Sequence, residues 1–132
     1  MGLDMYLYGE KFYWTNWKDP SKDLLEDGFK LQSKILYLGY WRKHPDLHGF
    51  IVKTFANGRD ECQRIHLTGE DLIKIIEAVK SNTLPHTEGF FFGTSENADE
   101  QNTIEQLEKA LEWIQSVHEE GISRQVYYEA SW

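Results

Sequence analysis

At 132 residues, 40% of them hydrophobic, the chain can bury one packed core, which excludes an intrinsically disordered segment. Its 22 acidic residues outnumber 14 basic ones for a net charge of −8, which disfavours direct binding to nucleic-acid phosphates. No apolar run approaches the roughly 20 residues of a membrane span, and Cys62, the single cysteine, excludes an internal disulfide and a cysteine zinc site.

In chain order, Leu3 to Trp14 alternates Leu3, Met5 and Leu7 with Asp4, Tyr6 and Tyr8, the period of a strand. Residues 15–33 are polar and carry Asp19-Pro20 and Asp27-Gly28 turn signals, so they read as a surface loop with a helical turn at Asp23 to Asp27. A second strand covers Ile35 to Trp41. His44-Pro45-Asp46 opens a helix, with Pro at its first position and Leu47, Phe50, Ile51 and Phe55 at helical spacing up to Asn57-Gly58. A strand from Cys62 to Leu67 precedes Thr68 and Asp71, the spacing of a capping box, and Leu72, Ile75, Ile76 and Val79 form the stripe of the next helix. Gly89 to Gly93 reads as a buried strand. Asn97 with Glu100 opens a third helix, with Ile104, Leu107, Leu111, Ile114 and Val117 as its stripe up to a stop at Gly121, and Leu107, Leu111 and Ile114 are expected to be buried against the sheet. Arg124 to Trp132 closes as a strand. The order β-β-α-β-α-β-α-β predicts a single α+β domain over residues 1–132, with a largely antiparallel or mixed sheet.

The stretch Tyr37 to Phe50 concentrates the residues that carry chemistry. Arg42 and Lys43 end a strand beside a helix N-terminus, a candidate site for phosphate or carboxylate. Tyr37, Tyr40 and Trp41 offer rings that stack on a base or a guanidinium, and strict alternation places Tyr37 with Trp41 on one face and Tyr40 with Arg42 on the other. The competing reading makes Trp41 a core residue and pairs Arg42 with an acid. Asp4, in an otherwise apolar strand, needs a partner, and Arg42 or Lys43 is the obvious one if the first two strands are neighbours. His48 is a candidate for a ligand hydrogen bond or a general base, against the simpler role of satisfying a neighbouring group. His44 and His48 have the spacing of two helical metal ligands, but no Glu follows His44 and Pro45 removes it from the helix. No metal, cofactor or catalytic residue is therefore assigned. Cys62 reads as a packed thiol.

The segments "MGLDMYLY" at 1–8, "GYWRKHPDLHGF" at 39–50, Cys62 and "LPHTEGFFFGT" at 84–94 together resemble a group of small uncharacterised proteins found largely in bacteriophages and prophages. After Gly93 the chain departs from that group, reading Ser95 to Glu100 without its tyrosine. The resemblance implies a phage setting and carries no activity with it.

The leading expectation is a phage-type accessory protein that binds a small anionic ligand, nucleotide-derived in one version, to blunt a host defence. Its ligand-binding residues would be Arg42, Lys43, His48, Tyr40, Trp41 and Asp4. The alternatives are an acidic protein inhibitor of a host nucleic-acid enzyme and a small hydrolase or transferase using His48. Partners are thus a small anion or a host protein, with no membrane, and a homo-oligomer is compatible. The absence of a basic-then-apolar leader points to the cytoplasm, the host's if the chain is phage-encoded.

Overall fold

A computed structural model describes residues 2–15, 18–87, 99–116 and 119–132. Its elements are β1 (Asp4–Tyr13), β2 (Leu25–Glu26), β3 (Phe29–Lys30), β4 (Ser33–Arg42), α1 (Pro45–Phe55), β5 (Ile65–Leu67), α2 (Gly69–Lys80), α3 (Glu100–Gln115) and β6 (Ile122–Ser131). The four long-range strands form one sheet in the order β4-β1-β6-β5, and each pair of neighbours is antiparallel. This is the α+β class that the chain order predicts.

Alternation in β1 sets the layering. Met5 and Leu7 are buried, as are Val126, Tyr128 and Ala130 of β6 and Ile65 and Leu67 of β5. The helices close this face with Leu47 and Ile51 from α1, Leu72 and Ile75 from α2, and Leu107 from α3. Leu111 and Ile114 are only half-buried, and they lie beside Gly69 at the start of α2. The α3 stripe is thus shared between the sheet and α2 rather than given wholly to the sheet.

Local chemistry explains the boundaries. Thr68 Oγ1 accepts from Asp71 N at 3.1 Å while Asp71 Oδ2 accepts from Thr68 N at 2.9 Å, the reciprocal box expected from the sequence. α3 is capped by Asp99, whose carboxylate accepts from Asn102 N at 3.0 Å. The expected start at Asn97, the Gly89 to Gly93 strand and Val117 lie outside the described residues. Between β1 and β4 the expected helical turn at Asp23 to Asp27 is replaced by a hairpin. Asp27 and Gly28 both take positive φ, 53° and 83°, as a two-residue hairpin turn demands, so β2 and β3 pair across them. A 3-10 turn forms earlier, at Pro20–Lys22. β5 begins at Ile65 rather than Cys62, because Gln63 turns back to accept from Glu61 N and to donate to Arg59 O. Cys62 sits in that turn at φ 57° and is exposed, which corrects the expectation of a packed thiol.

One irregularity reorders the faces of β4. In the β1–β4 ladder Leu7 faces Gly39 but Tyr8 faces Tyr37, so Leu38 is an extra residue, a β-bulge. The bulge inverts the expected alternation for half of β4. Tyr37 consequently shares a face with Tyr40 and Arg42, while Trp41 points the other way and is buried. Gly39 permits the close packing here, since a Cβ would come within 2.9 Å of the Trp41 ring.

Candidate functional site

The face of the sheet turned away from the helices is built from the even positions of β1 and their cross-strand partners. Tyr6 lies between Tyr40 of β4 and Glu129 of β6, and Tyr8 between Tyr37 and Tyr127. Ring centroids are 5.7 Å apart for Tyr6–Tyr8, 5.2 Å for Tyr6–Tyr40, 5.3 Å for Tyr8–Tyr37 and 5.3 Å for Tyr8–Tyr127. Such spacings let each ring shield its neighbours. Exposure is graded outward, from Tyr127 at 2% to Tyr40 at 45% and Tyr37 at 78%.

Charge on this face is mixed, with carboxylates in excess. Asp4 accepts from the Tyr40 hydroxyl at 2.6 Å and lies 3.9 Å from Arg42, the pairing predicted for neighbouring first and second strands. Glu10, which accepts from Gln125 Nε2 at 3.1 Å, and Glu129 add two more acids. On the β5 side the Arg64 guanidinium stacks 3.9 Å above the Tyr127 ring, with His66 alongside. Three of the phenols, Tyr40, Tyr8 and Tyr127, resist ionisation. Hydrogen bonding to Asp4 raises the Tyr40 pKa, and burial raises those of Tyr8 and Tyr127.

The predicted site residues separate. Tyr40, Trp41 and Arg42 do line one pocket of about 160 Å³, with His44, Asp99, Asn102 and Thr103. Trp41 contributes only an edge there, because its indole is 6% exposed and its Nε1 donates to Thr103 Oγ1 at 3.1 Å. Lys43 is exposed at positive φ and is not among the residues lining this pocket. Asp4 stands behind Arg42 on the open face. His48 lies on the covered side, 2% exposed, and is not among the pocket-lining residues. The Tyr128 hydroxyl is 2.6 Å from its Nδ1, and both Asp60 oxygens are 3.0 Å from its Nε2. Donation from Tyr128 to Nδ1 and from Nε2–H to Asp60 accounts for both nitrogens, so the imidazole acts as an internal tie. Burial raises the Tyr128 pKa well above the usual phenol value, with Asp60 adding to it.

His44, not singled out as a ligand contact, is the histidine at the pocket. Its Nε2 lies 3.0 Å from Glu100 Oε1, and burial lowers its pKa against the opposing pull of that carboxylate. Asp4, 3.9 Å from Arg42, and Asp99 in the lining thus set negative charge beside the one arginine of the pocket, while Glu100 faces His44. No cluster of three metal-ligating side chains occurs among the described residues, and no described helix is long and apolar enough to cross a membrane. A larger cavity of about 710 Å³ lies at the far end of β1, between Trp14, Lys18 and Lys22 on one side and Glu119 and Glu120 on the other. With Asp23 the lining holds three acids against two lysines, a mixture that selects no ligand class.

Sequence reasoning missed Tyr6, Tyr8 and Tyr127. The signal was present in the alternation of Tyr6 and Tyr8 against Met5 and Leu7, but Tyr37 could join them only through the bulge. No family model, curated protein or solved structure matches the chain, so the geometry alone carries the functional argument.

Proposed function

We propose that the chain is a protein-interaction module whose tyrosine-lined sheet face binds a basic, arginine-containing segment of a partner protein. In the phage setting that the resemblance implies, that partner is a host protein with a cationic surface, which develops the acidic-inhibitor alternative. The observation that carries this reading is the arrangement of Tyr6, Tyr8, Tyr37, Tyr40 and Tyr127 with Asp4, Glu10 and Glu129 on one face, the face turned away from the described helices. Phenol faces attract guanidinium, and nearby carboxylates strengthen that attraction. Arg64 over Tyr127 is an example within the chain. The net charge of −8 steers a basic partner toward the molecule.

A second reading, binding of a small anion, has one specific support, the presence of Arg42, Asn102 and Thr103 around the 160 Å³ pocket. The flanking carboxylates weigh against it, and the volume suits a single phosphate-sized group rather than a nucleotide.

Amide and tyrosine-ring NMR shifts, followed while titrating hexa-arginine, hexalysine, hexaglutamate and a panel of nucleotides, test both. The expected result is saturable binding of hexa-arginine at Tyr6, Tyr8, Tyr37 and Tyr40, weaker binding of hexalysine, and loss in the Tyr37→Ala/Tyr40→Ala double variant. Equal response to hexaglutamate would overturn the reading, and saturable binding of a nucleotide at Arg42 would replace it with the anion site.

A further inference from the structure

We propose that the outer edge of β4, from Ser33 to Leu38, receives the partner segment as an added β-strand. This rests on the reading of the tyrosine face and goes on to specify the backbone conformation of what binds there. The sheet order leaves β4 and β5 as its two edges, and they are treated differently. β5 spans only three residues, and Ile65 and Leu67 are buried. β4 spans ten residues, and its side chains at Ile35, Leu36 and Tyr37 are 51%, 39% and 78% exposed.

A long apolar edge is ordinarily blunted by proline, charge or a covering element, because its unpaired N–H and C=O groups invite another strand. Among the described residues, β4 is blunted only toward its end. There the Gln106 side chain of α3 accepts from Tyr40 N at 2.8 Å, occupying a donor that a new strand would need. Among the described residues no corresponding side chain engages the backbone of Ser33 to Leu38, and that stretch contains no proline and one charge, Lys34. The open edge thus begins at Ser33 and stops at the bulge.

The chemistry of the occupant follows from the two faces. A strand added there lies about 4.8 Å from β4, so its alternate side chains stand beside Ile35 and Tyr37 on the tyrosine face. Arginines at those positions reach the Tyr37 and Tyr8 rings and the carboxylates behind them. The intervening residues meet Leu36 and Leu38 and are apolar. A second copy of this chain does not fit that requirement. Self-pairing joins two molecules that each carry a net charge of −8, whereas a basic segment is drawn to the same surface. The segment is therefore extended, alternates Arg with Val or Ile, and comes from a basic protein.

The test uses the peptide acetyl-Arg-Val-Arg-Val-Arg-Val-amide and two analogues, N-methylated at the arginines or at the valines. A strand paired on one side uses only one of these two sets of N–H groups. One analogue is expected to lose at least tenfold in affinity by calorimetry, while the other stays within about twofold. Cross-peaks between peptide Hα protons and the backbone of residues 35–37 are expected with the unmodified peptide. Equal binding of all three peptides would overturn strand addition and leave the tyrosine-face reading standing. No binding of the unmodified peptide would overturn both. A dimer in sedimentation that dissociates in the Leu36→Lys variant would also overturn the proposal, since the edge would then belong to a second copy.

Discussion

The covered face of the sheet is mainly aliphatic and its open face mainly phenolic, although both arise from the same strands. Met5, Leu7 and Val126 have no polar atom to offer water, so stability requires helices laid across them. Tyr6, Tyr8, Tyr37 and Tyr40 instead pack ring against ring, along β1 and across to β4. A sheet face can therefore be organised by its own neighbours, with none of the described helices laid across it. What organises it in that way also leaves it available to a partner.

The sharpest contrast is expected from truncation on the covered face. Leu7→Ala, at a side chain 1% exposed, should cost about 2 to 5 kcal/mol in a denaturant titration. A cost near zero would mean that the helices do not press on this face as described. Gly39→Ala should cost about 1 to 3 kcal/mol by overpacking, because the new methyl meets the Trp41 ring within 2.9 Å. It should also shift the Tyr37 ring resonances, since the bulge couples the two faces. Unchanged Tyr37 signals with lowered stability would break that coupling.

A pH titration probes the seam between the faces, where His44 is buried. Its pKa is lowered in the fold by burial, so the unfolded chain binds the proton first as pH falls. The contribution to stability is complete above the unfolded value of about 6.5 and is lost progressively as pH drops through it toward the lower folded value. Urea midpoints at pH 7.5 and pH 5 should therefore differ more in the parent than in His44→Gln. An identical difference would assign the acid limb to another group. At the small end, Tyr37→Ala on the open face should change stability by no more than about 0.5 kcal/mol, as is usual for exposed sites, while weakening hexa-arginine binding.

Much of the covered side was legible in the sequence because it rests on local rules. The alternation of Leu3, Met5 and Leu7, the Pro45 helix start and the Thr68–Asp71 box each specify their element within a few residues, and all appear as expected. The Asp4–Arg42 pair was legible too, once β1 and β4 were taken as neighbours. The open face was not, for a physical reason. Strict period-two reading assigns Tyr37 to the side of Trp41, and only the ladder shows that Leu38 is an extra residue. The histidines were legible in part. Pro45 already separated His44 from the helix that carries His48, but no local signal shows that His44 turns to Glu100 while His48, the candidate for a ligand contact, points inward to Tyr128 and Asp60.

The position of β6 has a bearing on how the molecule is assembled. β6 is inserted between β1 and β5, pairing Asp4 with Ser131 at one end of its ladder and Tyr13 with Ile122 at the other. The centre of the sheet is therefore closed by the strand synthesised last among its elements, through contacts that span nearly the whole chain. Loop-closure entropy must be overcome before that ladder forms, which predicts folding in the slower part of the range for small α+β chains. On the ribosome, β1 can hold only β4 until β6 emerges. During that interval Tyr6 and Tyr8 lack one of their two flanking strands, so the surface proposed to recognise a partner is also among the last to mature.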